Sequence, residues 1–596
     1  MTAQEIRGSA TYRAEVRGRL GVVAAGRHFA AEAGCGCSPA AATPRTPGLP
    51  PSSRRPSRRS HTSASAAKCL IILYLADRKE VVVISGQGSA PAAASIDVFR
   101  EPGIPSNGPS AGTIPAVVDA LSIALAGVRH AVPRRCPGSG DLARRRLPWY
   151  DFLTFYLAPE LEDVRRYPSG ARVYLQGPEG RIPAVGSLFR QAELAATLRA
   201  LVEEEQRNLW RGREAAIYAA RDRFYSGDVG QRIARAVQDA GGLITAADLA
   251  SYRGRVEQPT RLEFTAHGYC YEVFKTGFWG QGPMLLQTLA LLQGFDLAGL
   301  GHNSAEYIHT LTEALKLALA DRDAYYGDPD FAKVPAEGLL APAYAAGRRK
   351  LIDPKTASDL VRPGHPWRFE PGAEAQGAGP DAAMSSGATP SQVPPARAPI
   401  GSPDTTCVNV ADARGNLFSA SPSGAGSSAG SSSPETPGSP RQSNASVRPR
   451  RRPPQRGPRG KRPRTTLSPT LVLRDGKPFL SLSSPGGDSQ DQQALQVLLN
   501  MIIFGMPAQT AIEAPRFNSL HYHESFGTHA IQPGMLEVEN RFPADVIAEL
   551  EVRGHKVVPV GAFMMDSGTT SPDSTPPTAP CFGAADVRRQ RFVTGW

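Results

Sequence analysis

DTTCVNVADARGNLFSASPSG, residues 404–424, carries the pattern from which the fold class follows. Apolar and polar residues alternate on both sides of residues 413–416, ARGN, which are typical of a turn. The alternation predicts a β-hairpin over residues 408–421. Two threonines, Thr405 and Thr406, stand directly before its first strand.

A second hairpin follows downstream. Residues 470–483 repeat the alternation around an Asp-Gly dipeptide at 475–476, which is favoured in two-residue hairpin turns. A glycine pair at 486–487 comes next. Residues 490–504, QDQQALQVLLNMIIF, then have the periodicity of an amphipathic helix.

Helical patterns dominate the chain upstream of the first hairpin. Residues 283–293 form one predicted helix, with proline in its first turn. Another is predicted to start at Asn303, because Glu306 follows at capping-box spacing. A third opens at Thr245 and Asp248. Helices early and paired hairpins late predict an α+β layered fold.

The positive charge of the chain is concentrated in one segment. The 596 residues have a formal net charge of +12, but residues 441–464 contain ten basic and no acidic residues, so removing them leaves +2. Clustered arginines bind phosphate with little sequence demand. This segment lacks interleaved aromatic residues for base stacking, so we expect no nucleic-acid partner.

Several other functional classes find no support in the composition. No run of 18 apolar residues predicts a membrane span, and residues 1–30 lack the compact apolar centre of a signal peptide, so the compartment stays open. Seven scattered cysteines contain no CxxC pair. His521 and His523 form an H-x-H pair without a third ligand at metal-binding spacing, so we predict no metal and no cofactor.

Four stretches have compositions that cannot bury enough apolar surface to offset chain entropy. We predict disorder in each of them: residues 31–66, 128–147, 426–464 and 567–580. Residues 1–67 are interpreted as an N-terminal segment that is disordered or mis-framed.

Taken in order, the patterned segments resemble one family. GGLITAADLASYRGRVEQP (241–259) and ALKLALADRDAYYGDPDF (314–331) resemble the large chain of gamma-glutamyltransferases. The segment from 404 resembles the start of their small chain, and RTTLSPTLVLRDGKPFLSLSSPGGD (464–488) and GMPAQTAIEAPRFN (505–518) resemble its later motifs. The likeness covers roughly residues 68–127, 148–350, 400–425 and 465–566.

This resemblance implies an N-terminal-nucleophile (Ntn) hydrolase fold, a four-layer αββα sandwich built from a large and a small chain of one precursor. The large-chain part would be residues 68–404, with 128–147 aberrant. The small, catalytic part would be residues 405–596, with a basic low-complexity insert at 426–464 and an aberrant span at 567–580.

The resemblance also implies self-cleavage between Asp404 and Thr405, by attack of the Thr405 hydroxyl on the preceding carbonyl. A threonine hydroxyl is a weak nucleophile unless a base lies within hydrogen-bond reach. Inside a chain, Thr405 has only an amide nitrogen. Cleavage would convert it to an α-amine whose ordinary pKa is about 7.7–8.0, a usable general base near neutral pH.

The remaining site residues follow from the same resemblance. Gly486 and Gly487 would supply backbone N–H groups to the oxyanion. Ser423 takes the place of a hydroxyl residue that hydrogen-bonds the nucleophile. The donor-binding residues would be Thr406, Thr465, Thr466 and Gln87. The expected substrates are a small amide such as glutathione and a water or amine acceptor.

The sequence departs from the family at two places. Gln87 aligns with an arginine that grips the donor's carboxylate, and no arginine lies between Lys79 and Arg100. A related acylase acting on a non-glutamyl amide therefore stays open. The aberrant spans replace patterned sequence without changing its length much. We hypothesise reading-frame errors or eroded gene segments there, and a catalytically impaired family member is a further alternative.

Overall fold

The computed structural model describes the chain in thirteen parts, and every structural statement below refers to them. They are residues 11–26, 31, 68–99, 108–127, 147–372, 405–423, 432–433, 436–437, 460–526, 529–563, 570–573, 581–588 and 591–596. Asp404 and most of the four low-complexity stretches lie outside the described residues.

Twenty-one strands are described in these parts. They are β1 Val16–Gly18, β2 Gly21–Ala25, β3 Lys68–Leu75, β4 Glu80–Gly86, β5 Leu147–Pro148, β6 Leu188–Phe189, β7 Arg255–Glu257, β8 Thr260–Ala266, β9 Tyr269–Lys275, β10 Val408–Asp412, β11 Leu417–Ser423, β12 Ser432–Ser433, β13 Thr436–Pro437, β14 Thr470–Arg474, β15 Lys477–Leu482, β16 Phe517–Ser519, β17 Met535–Glu539, β18 Lys556–Val560, β19 Thr570–Asp573, β20 Cys581–Ala585 and β21 Phe592–Gly595.

The same parts contain seventeen α-helices. They are α1 Ile96–Phe99, α2 Val117–Gly127, α3 Asp151–Leu157, α4 Leu161–Arg166, α5 Pro168–Tyr174, α6 Ala192–Asn208, α7 Arg213–Tyr225, α8 Asp228–Asp239, α9 Ala246–Ser251, α10 Pro283–Leu292, α11 Leu297–Leu300, α12 Ala305–Tyr325, α13 Ala336–Leu340, α14 Pro342–Arg349, α15 Gln490–Ile502, α16 Ala508–Glu513 and α17 Ala544–Val552. None of these helices is long and apolar enough to span a bilayer.

Two seven-stranded antiparallel sheets form the centre of the molecule. The first has the order β1-β20-β19-β15-β14-β9-β8, and the second has the order β21-β2-β10-β11-β3-β4-β7. Ile72 and Ala411 of the second sheet pack in one buried cluster with Phe274 and Leu471 of the first. The inner faces of the two sheets therefore share a core.

Helices cover the outer face of each sheet. Val117 and Ala120 of α2 pack on Ile71 of the second sheet. The larger cluster joins the first sheet to α10, α12 and α15, for example through Val273 and Leu315. The α+β class predicted from the sequence is confirmed.

Most predicted elements occur where the pattern placed them. Strands β10 and β11 form the first hairpin and β14 and β15 the second, with Asp475 and Gly476 at positive φ in the turn. Thr245 and Asp248 form a complete capping box at the start of α9. The exception is α12, whose N-cap is Ser304 rather than Asn303. Asn303 adopts a φ of 57°, and the Ser304 hydroxyl accepts the Tyr307 N–H instead.

Several parts of the segments predicted to be disordered or mis-framed are folded, among them the short strands β12 and β13 inside residues 426–464. Residues 16–25, inside the segment 1–67, form β1 and β2, and β2 lies between β10 and β21. Residues 570–573 form β19 between β15 and β20. Residues 460–464 end the basic insert inside the fold, with Arg462 buried. Composition missed them because strand pairing and ion pairing with distant residues supply what the local sequence lacks.

A buried histidine pair lies beneath the three-stranded sheet β16-β17-β18. His309 Nε2 donates to the Asp353 carbonyl at 2.8 Å, and the His555 and His309 rings share a hydrogen bond of 2.9 Å. Burial, with the charge of Lys316, lowers the pKa of His555 to about 3. The pair therefore stays neutral in the folded protein.

This pair predicts a loss of stability in acid. Between pH 3 and 6.5 the unfolded chain binds a proton at His555 that the folded chain does not, so stability falls as pH drops below about 6.5, by roughly 1.4 kcal/mol per pH unit. We expect His555→Gln to lose less of its thermal midpoint than the wild type between pH 7.5 and pH 5. Differential scanning fluorimetry measures both, and exposed His365→Gln is the matched control. Equal acid losses in wild type and His555→Gln would contradict the prediction.

Candidate active site

Three of the predicted site residues, Thr405, Ser423 and Gln87, lie in one row across the second sheet. Thr405 bridges Ser423 in antiparallel register, and Ser423 pairs with Lys68. The β3–β4 register, in which Cys69 pairs with Gly86, brings Lys68 opposite Gln87. Directly opposed residues of antiparallel strands share a face, so the four side chains form a row, which we call the Thr405 row.

Thr405 itself lies at the start of this row with an unused hydroxyl. The residue is 3% exposed, and its Oγ1 has no hydrogen-bond partner among the described residues. A buried hydroxyl without a partner costs about 1–3 kcal/mol, so such a group indicates a site for a reacting or bound molecule.

Asn409, four residues after Thr405, joins the two sheets. Its Oδ1 accepts from Ser419 at 2.8 Å and from Ser483 at 3.1 Å, and its Nδ2 donates to the Ser483 hydroxyl at 2.8 Å. Ser483 directly precedes the segment that leads to the glycine pair. This buried network therefore ties the strand of Thr405 to the glycine loop of the other sheet.

The glycine pair turns the chain sharply between β15 and α15. Gly486 has a φ of 122° and Gly487 a φ of 60°, a region that strongly favours glycine. The Gly486 carbonyl accepts from Ser489 Oγ at 2.8 Å, and the Gly487 carbonyl accepts from Gln281 Nε2 at 3.1 Å. These bonds occupy the two carbonyls. Among the described residues, neither the Gly486 N–H nor the Gly487 N–H has a hydrogen-bond partner.

A buried arginine clamps this loop from α12. Arg322 donates to Gln281 Oε1 at 3.1 Å and to Asp488 Oδ1 at 2.6 Å. Burial alone would raise the pKa of neighbouring Asp323, but the charges of Arg322 and Arg464 outweigh it and lower that pKa. The glycine loop is thus fixed by an ionised, fully buried network.

The two predicted donor threonines differ in their contacts. The Thr465 hydroxyl accepts the Leu467 N–H at 3.3 Å, and its carbonyl accepts the Gln281 N–H at 2.9 Å. Thr466 Oγ1 is buried and has no partner among the described residues. Of the two hydroxyls, Thr466 is therefore the one left for a ligand.

Thr406 has a different contact from the one predicted. Strand alternation places its side chain on the opposite face from Thr405. Its hydroxyl accepts from Arg591 Nη1 at 3.1 Å instead of joining the Thr405 row. The resemblance placed Thr406 at the donor because it follows the nucleophile as in relatives, and that role stays a prediction.

Gln87 lies at the far end of the Thr405 row. It is buried, its Oε1 has no partner among the described residues, and its Nε2 makes one long bond of 3.4 Å to the adjacent Gly88 carbonyl. The side-chain amide is therefore largely unused by the protein.

Arg462 lies beside the Gln87 loop, since its Nη1 donates to Ser85 Oγ at 3.1 Å and the neighbouring Lys461 carbonyl accepts the Ala90 N–H at 2.9 Å. Its guanidinium pairs with Asp328 at 2.9 Å and also bonds Glu257. Burial alone would lower the pKa of Arg462, but these acidic partners raise it. The charge of Arg462 is neutralised inside the protein and does not replace the missing donor arginine.

The comparison with known proteins shows the family of the chain. The family model of gamma-glutamyltranspeptidase matches residues 69–596. The chain belongs to the gamma-glutamyltranspeptidase family. Two relatives of the chain have names that indicate different activities.

One of these gamma-glutamyltranspeptidase relatives is the glutathione hydrolase proenzyme of Escherichia coli (strain K12), 31% identical over 408 residues. That match covers 64% of this chain but only 60% of the relative's own length. The other is the acylase ACY 1 proenzyme of Pseudomonas sp. (strain SE83), 30% identical over 459 residues, which are 74% of this chain and 68% of the relative.

Two solved structures match almost the whole chain. LmbA2991HD is 28% identical with a TM-score of 0.80, and the match covers 98% of this chain and 100% of that one. The cephalosporin acylase from Bacillus halodurans is 23% identical with a TM-score of 0.75 and 98% coverage of both chains, a likeness of fold alone. The relatives of this chain thus include a glutathione hydrolase proenzyme and an acylase proenzyme.

Sequence reasoning missed four residues of this site: Lys68, Gln281, Arg322 and Arg462. Gln281 and Arg322 lie in well-patterned sequence, but no local pattern reveals a partner more than 40 residues away. Lys68 and Arg462 stand beside low-complexity sequence, where composition hid them. The one available signal was that Lys68 opens an apolar strand pattern.

We expect the substitution of Arg462, a residue of the basic insert, to lower the free energy of unfolding strongly. Arg462→Met would leave the buried Asp328 carboxylate and the half-buried Glu257 carboxylate without their cation, at a cost of about 3–5 kcal/mol that comes mainly from Asp328. Urea unfolding measures this change. The matched control is Arg181→Met, which removes an exposed pair with Glu179 and should leave the midpoint in place. An unchanged midpoint for Arg462→Met would contradict the prediction.

Proposed function

We propose that this protein is a threonine N-terminal-nucleophile enzyme that cleaves itself before Thr405 and then transfers or hydrolyses a γ-glutamyl, glutathione-type amide. The observation that carries the proposal is the buried, unpartnered hydroxyl of Thr405 at the start of the Thr405 row. Membership of the gamma-glutamyltranspeptidase family supports it, as do the proenzyme names of the relatives.

Self-cleavage begins in the uncut chain. Thr405 Oγ1 attacks the Asp404 carbonyl carbon, the C–N bond to Thr405 breaks, and the nitrogen takes up the hydroxyl proton. The product is an ester of Asp404 on Thr405. Water hydrolyses this ester, which regenerates the hydroxyl and leaves Thr405 with a free α-amine.

The same groups then act on the substrate. The α-amine takes the Thr405 hydroxyl proton as Oγ1 attacks the donor amide carbonyl. The N–H groups of Gly486 and Gly487 stabilise the oxyanion, each worth roughly 2.7–4 kcal/mol. The proton passes to the leaving amine, and an acyl-enzyme remains for water or an amine acceptor to attack.

We also infer the finer architecture from the packing of the sheets. Two sheets with a shared core and helices outside each correspond to a four-layer αββα sandwich. Cleavage would give a large chain ending at Asp404 and a small chain of residues 405–596. Strands β3 and β11 pair across the cut, so the two chains would stay together.

Lys68 supports a donor that carries a carboxylate. It stands two strands from Thr405, about 10 Å at the usual strand spacing of about 4.8 Å, with Gln87 beside it. A lysine at this distance, with the Thr466 hydroxyl, can replace the contact that an arginine makes at position 87 in relatives.

The alternative is an amide acylase with a non-glutamyl donor. Gln87 favours this alternative, because its buried side-chain amide is neutral. A neutral amide can bind an uncharged acyl group, whereas a buried carboxylate would need a positive charge beside it. The acylase relative, at 30% identity, supports it as well.

We expect Thr405→Ala to abolish both self-cleavage and turnover, because it removes the attacking oxygen. Intact-mass spectrometry should find two chains for the wild type, one of them beginning Thr-Thr-Cys-Val, and one uncut 63.4 kDa chain for the variant. Thr405→Ser retains a hydroxyl and should still cleave. An uncut wild-type chain would favour the impaired family member, and processing of Thr405→Ala would refute the nucleophile.

Two anilide donors separate the glutamyl and acylase alternatives. We expect wild-type kcat/KM for γ-glutamyl-4-nitroanilide to exceed that for 4-aminobutyryl-4-nitroanilide, which lacks only the carboxylate, by about 10- to 100-fold. Lys68→Met should bring this ratio close to one, because it should lower kcat/KM only for the anilide that carries the carboxylate.

The control is Lys79→Met, which removes an exposed lysine from the β3–β4 turn and should leave the ratio unchanged. Equal use of both anilides by the wild type would instead establish the acylase alternative.

A further inference from the structure

The C-terminal end of the chain contacts the dipeptide of the nucleophile. Arg591, 4% exposed, directly precedes β21, which pairs with β2, which in turn pairs with β10. Its Nη1 donates to Thr406 Oγ1 at 3.1 Å, and its Nη2 lies 3.5 Å from the Thr405 carbonyl oxygen.

Gly26 makes this contact possible. The guanidinium lies next to Gly26, the residue after β2, where a Cβ would overlap Thr406 Oγ1 and come within 2.8 Å of Arg591 Nη1. Only a residue without a side chain lets the arginine reach the Thr405–Thr406 peptide. The contact between Arg591 and Thr406 occupies the space that a side chain at position 26 would need.

Both partners are held by further bonds. The Arg591 N–H donates to the Asp586 carbonyl at 3.1 Å, and the Arg13 guanidinium bonds the Arg591 carbonyl. On the opposite side, the Thr406 N–H donates to the Pro422 carbonyl at 3.0 Å. The nucleophile's dipeptide is thus fixed between β11 and the C-terminal segment.

We propose that Arg591 is a positioning residue that orients Thr405 and holds its freed α-amine in the neutral, basic form. This inference rests on the proposed function, since the amine exists only after cleavage before Thr405. A guanidinium is permanently charged. Protonating the amine beside it would place a second cation nearby, which favours the free base.

The other charged groups around Thr405 do not cancel this effect. Lys68, two strands away on the same face, has the same sign as Arg591. The Asp586 carboxylate is already paired with Arg516 and Arg588. Glu513 accepts the Tyr12 and Arg13 backbone N–H groups. Among the described residues, Arg591 is therefore the cation in direct contact with the nucleophile's backbone.

The distance sets the size of the expected effect. The 3.5 Å contact plus one residue's span of about 3.6 Å puts the guanidinium about 7 Å from the α-amine. Two unit charges at this separation in a partly buried site change a pKa by on the order of one unit.

The experiment compares Arg591→Gln, which loses the charge, with Arg591→Lys, which keeps it but loses the two-pronged contact. The acid limb of kcat/KM against pH is measured on processed enzyme with the anilide it turns over fastest. We expect the limb of Arg591→Gln to move up by about one pH unit and that of Arg591→Lys to stay. Both variants should cleave themselves several-fold more slowly.

Arg414→Gln, at the exposed hairpin turn, is the matched control and should leave limb and cleavage rate unchanged. An unmoved limb in Arg591→Gln, or equal movement in both variants, would overturn the proposal. If Arg591→Gln stays uncut, Arg591→Lys decides: slower cleavage with an unmoved limb supports the proposal, and a displaced limb overturns it. Failure of the proposed function is distinct, since the wild type itself would then stay uncut.

Discussion

The carboxamide of Asn409 in the seam between the sheets is the contact on which the site depends. It holds Ser419 on one side and Ser483 on the other, within 3.1 Å. Hydrogen bonds in such a low-dielectric interior are strong, and leaving them unmade is costly, so they permit one sheet-to-sheet register. That register relates β10, the strand that follows Thr405, to the segment that leads from β15 to the glycine loop.

Around this seam, distant parts of the chain converge on one edge of the sheets. The Thr405 row takes side chains from four neighbouring segments of the sheet, while Gln281 and Arg322 reach the glycine loop from the helical half. Both sides of the proposed cut contribute. Cleavage would therefore release one backbone amide without releasing any of the elements that hold it in place.

Charge is distributed in the site according to use. Arg322 and Arg462 form ion pairs with Asp488 and Asp328, and these pairs hold the surrounding segments together. Lys68 and Arg591 instead lie beside the nucleophile, one in the Thr405 row and one on the carbonyl side. A cation near the donor affects which substrate binds, whereas a cation near the α-amine affects how strongly that amine acts as a base.

The sequence alone determined the local elements: both hairpins, the capping box at Thr245, the helix after the glycine pair, and the motifs from which Thr405 was predicted. Their signals are periodicity, turn residues and short motifs, all of which lie within about 25 neighbouring residues. Only the tertiary structure decided that β2 belongs beside β10, that Arg462 is buried, and that Thr406 faces Arg591. These features depend on pairing between residues up to several hundred positions apart, and their energy comes from partners that no local composition contains.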